Sequence, residues 1–433
     1  MKKIYLLIIG AAASVSAVTA QTACNNGRYS SDVYTTLTTT TGMVYGSNVK
    51  YNGSTQSLTL DFYQPAADTC QARPLIIWAH GGSFVGGSSA DADQVSLSQH
   101  FAKKGFACAA INYRLGFFPF DSAHAVPAVI RAVQDMKAAI RFFYKDRATT
   151  NTYKIDTNNI FIGGSSAGAI TALHVAYLDR ACEIQPYIST SSLTALGGLD
   201  GTSGNAGYSQ KVKGVINLCG ALAIYGWLET GNIPFVSMHG TIDATVKYTR
   251  GVVNPGTPLM YLDGSRFVHQ HAQVIGVTNP FYTWYGADHV PYAQGGTSTT
   301  QLAYMDTTVN FVRDFLISQL NCTDAPLQAP NTPYGIATLY PFTPCVVGIK
   351  TITNNLMLEI YPNPSNDKIK VVFDKANEDH FIQITDVSGR IIRSYSTSQP
   401  AISIEKGELN TGMYLLKVSD SQGRSSLQKI LFY

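Results

Sequence analysis

From Leu58 to about Leu320 short, almost uninterrupted apolar runs alternate with longer segments in which apolar residues recur every three or four positions. That alternation limits the fold more than any other feature. The runs LTLDFY, LIIWAH, FACAAINY, IFIG, VINLC, FVSMHG and FYTWYG have the length of strands, and a strand apolar along its whole length must be covered on both faces. The clearest segment between them runs from Pro127 to Asp146. Pro127 suits a first helical position, and Val129, Ile130, Val133, Met136, Ile140 and Phe143 form one buried stripe. Phe311, Phe315 and Leu316 repeat that spacing in a second helix, from about Thr307 to Leu320. The expected fold class is α/β, a mostly parallel sheet flanked by helices.

After Cys322 the text changes. Pro326, Pro330, Pro333, Pro341 and Pro344 mark residues 323–354 as a Pro-rich linker or an extended wrap. From residue 355 to 433 the apolar period falls to two, and IKVVF, FIQITDV, RIIRSYS, AISI, MYLLKV and LQKILFY, separated by turn sequences, describe a small C-terminal β-sandwich. Residues 1–20 carry Lys2 and Lys3, a short apolar run and small residues before Gln21, the pattern of a signal peptide. Residues 21–322 are then the α/β domain. The Thr-rich stretch from Thr35 to Thr41 suggests no structure. No other stretch is long and apolar enough to span a bilayer. Charged residues are 14% and the net charge is +3, which gives no basis for a nucleic-acid partner.

Export brings the seven cysteines (24, 70, 108, 182, 219, 322 and 345) into an oxidising compartment. Cys108 and Cys219 lie in apolar strands and are expected to be unpaired; a Cys322–Cys345 bridge would tie down the Pro-rich connector. No CxxC spacing supports a zinc site.

Gly164-Ser165-Ser166-Ala167-Gly168 fits G-x-S-x-G between a strand, IFIG, and a helix, AGAITALHVAYL. A sharp strand-to-helix turn lifts the middle serine hydroxyl toward substrate. Ser166 is the candidate nucleophile, and a serine hydroxyl needs a base within reach and a group to hold that base. His289 follows FYTWYG and Asp243 follows FVSMHG, which gives the chain order Ser166, Asp243, His289. Asp288 is the rival acid, but it adjoins the base and is badly placed to hold its neighbour's ring. His269 and His271, two apart in a helix, share no face and make no metal pair. His239 reads as a turn residue, and Phe281, Tyr282, Trp284 and Tyr285 as core.

On these residues the region from about 40 to 320 resembles a secreted carboxylesterase or lipase of the α/β-hydrolase superfamily. Trp78-Ala79-His80-Gly81-Gly82-Ser83-Phe84 resembles the esterase HGG turn, and Asn112 to Gly116, NYRLG, is similar to a structural segment of type-B carboxylesterases and hormone-sensitive-lipase relatives. The resemblance implies an oxyanion hole formed by Gly82, Ser83 and Ala167, with His80 a structural part of that turn. It implies a serine ester hydrolase working through an acyl-enzyme, with no cofactor and no metal, on short-chain, acetyl or feruloyl-type esters or polyesters. The alternatives are a serine exopeptidase of the prolyl-oligopeptidase-like class, whose members usually carry an aromatic residue where this chain has Ala167, and a non-catalytic hydrolase-like binding protein. The segment from Ser189 to Gly207 is expected to form a small lid or pocket wall.

YPNPSNDKI, ITDVSGRII, GMYLLKV and the closing LQKILFY with Lys429 resemble the C-terminal sorting domain of type IX secretion cargo. That likeness implies export through the periplasm and outer membrane of a Bacteroidetes-like bacterium. The partners expected are an ester substrate and, through residues 355–433, the secretion machinery.

Overall fold

The computed structural model describes residues 24–293, 298–345, 356, 358–373, 378–387, 389–421 and 424–433. The expected leader and residues 346–354 of the linker lie outside the described residues. The chain divides into two compact units, Met1–Cys345 and Val346–Tyr433.

The strands of the first unit are β1 (Leu37–Val49), β2 (Thr55–Pro65), β3 (Arg73–Ala79), β4 (Ala107–Ile111), β5 (Ile155–Ser165), β6 (Gly214–Leu218), β7 (Ala221–Leu222), β8 (Phe235–Gly240), β9 (Arg250–Val252), β10 (Tyr261–Gly264) and β11 (Phe281–Trp284). Its helices are α1 (Ala92–Lys103), α2 (Ser122–Ala148), α3 (Ala167–Tyr177), α4 (Ala181–Ile184), α5 (Thr190–Ala195), α6 (Ser265–Ile275) and α7 (Thr299–Gln319). Eight strands form one sheet in the order β1-β2-β4-β3-β5-β6-β8-β11; β7, β10 and β9 make a small second sheet. β1 and β2 are antiparallel to their neighbours, and every pairing from β4 to β11 is parallel.

The uninterrupted apolar runs serve two cores at once. Leu75, Ile77 and Ala79 of β3 face the core that includes Ala132, Met136 and Ile140 of α2 and Leu173 of α3, whereas Ile76 and Trp78 face Leu97 and Phe101 of α1 and Val312 and Phe315 of α7. Alternate side chains of one strand point to opposite faces, so a sheet covered on both sides needs apolar residues at every position.

Pro127 does not begin α2. The helix starts five residues earlier, where the carboxylate of Asp121 accepts from His124 N and caps it, and Pro127 sits inside. The Thr-rich stretch is the start of β1: its threonines are exposed on the sheet's edge strand, a position that suits β-branched polar residues. The expected Cys322–Cys345 bridge is not formed. Cys322, just beyond α7, pairs with Cys24 and Cys345 with Cys182, at Cα separations of 5.7 and 6.0 Å. The Pro-rich stretch itself accounts for this. It runs over the first unit as a strap, with Leu327 N and Gln328 N bonded to Asp314, Asn331 to the backbone of Thr283, and Tyr340 OH to Asp263, and so carries Cys345 to α4. Cys70, Cys108 and Cys219 are unpaired.

The second unit contains β12 (Leu358–Tyr361), β13 (Lys368–Phe373), β14 (His380–Thr385), β15 (Ile391–Thr397), β16 (Ala401–Glu405), β17 (Gly412–Asp420) and β18 (Ser425–Phe432). They form two antiparallel sheets, β12-β13-β16 and β15-β14-β17-β18, over one core of Ile369, Val371, Ile382, Ile384, Leu416 and Val418 among others. Among the described residues no helix is long and apolar enough to cross a membrane.

Candidate active site

Parallel pairing brings the C-terminal ends of β5, β6, β8 and β11 level, with Ser165 opposite Leu218, Leu218 opposite Met238, and Gly240 opposite Trp284. The loops that leave those ends therefore converge, the place where such sheets build sites. Ser166 follows β5 directly. Its backbone, at φ 55° and ψ −117°, is a strained turn into α3. The flanking glycines follow from close packing: a Cβ on Gly164 or Gly168 would lie 2.2 or 1.9 Å from the Ala79 carbonyl oxygen of β3.

The Ser166 hydroxyl donates to His289 Nε2 at 2.7 Å, and His289 Nδ1–H donates to Asp243 Oδ2 at 2.6 Å. Asp243 Oδ1 accepts from Thr245 N at 2.9 Å and Val246 N at 2.8 Å. Burial by itself would raise the Asp243 carboxyl pKa, but hydrogen bonds from His239 and His289 outweigh it and hold the group well below the usual carboxylate range. Asp288 takes no part in the chain of bonds; its carboxylate accepts from Ala244 N and His289 N and so fastens the two loops together.

His239 is not a turn residue. It ends β8 fully buried, with Nε2 facing Asp243 Oδ2 at 3.1 Å and Val246 O at 2.9 Å; both are acceptors, so Nε2 carries the proton. Its Nδ1 then accepts from Ser265 Oγ at 2.7 Å, and Ser265 is held by Asn217 Nδ2. A second group sits beside Ser166: Tyr292 OH donates to Ser165 Oγ and Ser165 to Asp93 Oδ2, both at 2.7 Å. The signal for His239 was its place at the end of FVSMHG, in register with the other strand ends; nothing in the text marks Tyr292.

Gly82, Ser83 and Phe84 take three successive left-handed conformations, and Gly82 O accepts from Val85 N and Gly86 N, closing the turn. The N–H groups of Gly82 and Ser83 have no acceptor among the described residues. The NYRLG segment braces this turn. Tyr113 OH donates to His80 O and its ring stacks on the imidazole of His80; Gly116 N bonds Phe84 O. Arg114 is buried against Asp135 of α2 at 2.9 Å.

Ser83, Ser166 and Ala167 open on a partly open cavity of about 60 Å³. Its walls are apolar side chains of α2, α3 and the β9–β10 loop, such as Val126, Ile130, Ile170, Leu178 and Leu259. Gly82 lies one residue back in the turn and does not line it. The segment from Ser189 to Gly207 is no lid: it lines none of this cavity and is fastened to α2, with Gln134 Nε2 bonded to Leu196 O and Gly198 O and Ser203 Oγ to Asp135. Polar glycine-rich sequence suits such backbone bonding as well as it suits a lid. Phe281 and Trp284 are core residues, whereas Tyr285 is exposed. Among the described residues one trio of metal-ligand type has its donor atoms within 4.8 Å: Cys219, Asp243 and His289. Burial pushes the Cys219 thiol up, so its sulfur stays protonated, and the other two are bonded to each other.

Comparison with known proteins finds likenesses for both units. Residues 60–232 match the BD-FAE family model, and residues 359–432 match the secretion system C-terminal sorting domain. Mouse carboxylesterase 3B is 34% identical over 120 residues, 27% of this chain and 20% of that protein; human carboxylesterase 5A is 29% identical over 153 residues, 32% of this chain and 26% of that protein. The matches thus span under a third of these curated relatives. Among solved structures, Thermogutta terrifontis esterase 2 phosphorylated by paraoxon has a TM-score of 0.48 at 21% identity, covering 65% of this chain and 94% of its own. Residues 60–232 are thus similar to the BD-FAE family and to carboxylesterases, and residues 359–432 to the C-terminal sorting domains of a secretion system, whose presence points to the cell surface or exterior.

Proposed function

We propose that this chain is a secreted serine carboxylic-ester hydrolase. The observation that carries the reading is the unbroken chain of short hydrogen bonds from Ser166 through His289 to Asp243, at the mouth of an apolar cavity. His289 takes the Ser166 proton as Oγ attacks the ester carbonyl, and Asp243 fixes the imidazole and faces the positive charge it gains. The negative charge on the carbonyl oxygen falls to the backbone N–H groups of Gly82, Ser83 and Ala167, where each such donor is worth about 3–4 kcal/mol in the transition state. His289 returns the proton to the leaving alcohol and the acyl group stays on Ser166; water, losing its proton to the same base, then attacks the acyl carbonyl, and His289 gives that proton back to Ser166 as the acid leaves.

Two other features support this reading. The carboxylate that orients the base is held well below the usual carboxylate range by its hydrogen bonds, and the left-handed turn leaves amides without acceptors among the described residues beside Ser166. The test is turnover of p-nitrophenyl esters by the purified chain and by Ser166→Ala. We expect a fall in kcat of about 10⁶-fold, the scale on which such nucleophiles act. Turnover of a dipeptidyl anilide in place of every ester would replace ester chemistry with exopeptidase chemistry, and ester turnover surviving in Ser166→Ala would refute the assignment of the nucleophile.

A further inference from the structure

Resting on that reading, we infer that Tyr292 is a positioning residue for the second half of the reaction: its bond to Ser165 holds His289 in place while Ser166 carries the acyl group. Among the described residues two hydrogen bonds join the loop after β11, which carries His289, to the end of β5 and the turn that follows it. They are His289 Nε2 with Ser166 Oγ and Tyr292 OH with Ser165 Oγ, each at 2.7 Å. The first is broken by the chemistry. Once esterified, Oγ has no proton to donate, and neutral His289 has none on Nε2, because its one ring proton is given from Nδ1 to Asp243. The second bond involves no reacting atom and survives. In the step that follows, water gives a proton to Nε2 as its oxygen bonds to the acyl carbon; the bond from that carbon to Oγ then breaks as Nε2 passes the proton to Oγ. Both transfers require Nε2 to stay within hydrogen-bond reach of Oγ, although nothing any longer bonds the two.

The loop needs holding. Val290, the residue after His289, takes φ 41°, a conformation that a β-branched residue adopts only where its surroundings impose it. Ala293 N bonds to Val290 O and closes the turn, and Tyr292 within it is buried, its ring 5.6 Å from that of Trp284. Burial pushes the Tyr292 phenol well up, so it remains a donor. Ser165 gives its own proton to Asp93 Oδ2 and keeps its lone pairs for Tyr292; the same carboxylate oxygen accepts from Gln94 Nε2 at 2.8 Å. Asp93 lies in the first turn of α1, a helix that Leu97 and Phe101 anchor in the core. The link thus runs from the base's loop, through the residue before Ser166, to a fixed helix. Other bonds on this loop lead elsewhere: Ala287 O and Asp288 Oδ1 accept from Ile242 N and Ala244 N and tie it to the loop of Asp243.

The experiment mixes the full chain with p-nitrophenyl acetate in a stopped-flow instrument, for the wild type, Tyr292→Phe, Ser165→Ala and the double variant, with melting temperatures measured alongside. p-Nitrophenolate leaves readily, so its first-turnover burst reports acylation and its steady release reports deacylation. The loss of a neutral hydrogen bond of this kind, falling on one step, slows that step about fivefold. Tyr292→Phe keeps the ring and removes the hydroxyl. We expect it to leave the burst rate and kcat/KM close to those of the wild type while kcat and KM fall together by about fivefold. Ser165→Ala removes the acceptor and should give the same split, so a folding failure in one variant leaves the other as the test. The double variant should be no slower than either, because both changes cut one link. A burst rate that falls as far as the steady rate, or an unchanged kcat beneath a lowered melting temperature, overturns the inference and leaves ester hydrolysis standing. No ester turnover by folded wild type, or turnover with no acyl group on Ser166, overturns the reading on which it rests.

Discussion

Replacing His239 with phenylalanine should slow the enzyme about tenfold without unfolding it. The imidazole is buried at the end of β8, and a phenyl ring keeps its bulk while removing both nitrogens. Asp243 then loses one of its four donors. A hydrogen bond to a charged group contributes about 1.5–3 kcal/mol, and charge-assisted bonds of this type run at about 2.7–2.9 Å. The His239 contact is longer, 3.1 Å, against 2.6 Å for His289, so the lower figure applies. About 1.4 kcal/mol corresponds to a factor of ten in rate. One effect opposes the loss: a carboxylate shared among fewer donors pairs more strongly with the imidazolium of the transition state. It does not cancel the loss, because the freed carboxylate can also turn away from the ring it orients. The fall should appear in kcat with KM little changed, the mark of an interaction made in the transition state. Asp243 should also titrate closer to the usual carboxylate range, so the loss of stability that accompanies its protonation should begin at higher pH than in the wild type. His239→Gln, which keeps a donor, should restore part of the rate. Unchanged kcat and an unchanged pH profile with a lowered melting temperature would refute the reasoning and leave His239 a packing residue.

Acid should destabilise the first unit through two buried histidines. His174 and His269 are pushed by burial down to about 4, below the unfolded value, so the unfolded chain binds more protons between pH 4 and 6.5 and stability falls as pH drops through that window. Each contributes on the order of 3 kcal/mol, and urea midpoints at pH 7 and 4.5 should show a shallower loss for His174→Gln. Asp135→Ala leaves the buried Arg114 without its carboxylate and should cost about 3 kcal/mol or more, read in the same titration. Gly168→Ala drives a methyl group into the Ala79 carbonyl and should cost about 3 kcal/mol and most of the activity; a variant of native stability would refute the close-approach argument.

The central sheet was legible because a strand covered on both faces must be apolar throughout, and helices on both sides leave it no polar face. The meeting of Ser166, Asp243 and His289 was legible by position, each following a strand whose end the parallel register brings level with the others. What escaped depended on contacts between distant residues. Cys24 and Cys322 are 298 residues apart, and no local pattern carries that pairing. The Ser189–Gly207 segment has the composition of a lid, but the backbone bonds from Gln134 and Arg141 that fasten it to α2 come from residues more than fifty positions away. The threonines of β1 gave no apolar period because an edge strand has no need of one. His239 was misread because a histidine before a glycine suggests a turn, and its role depends on Asp243 folding back four residues later onto the same strand end.

The central claim is that an acyl group is carried on Ser166. Acid quenching during steady turnover of p-nitrophenyl octanoate, followed by digestion and mass analysis, tests it most directly. The account predicts an octanoyl adduct on the peptide containing Ser166 and none in Ser166→Ala. An adduct on another residue, or turnover by Ser166→Ala, would contradict it.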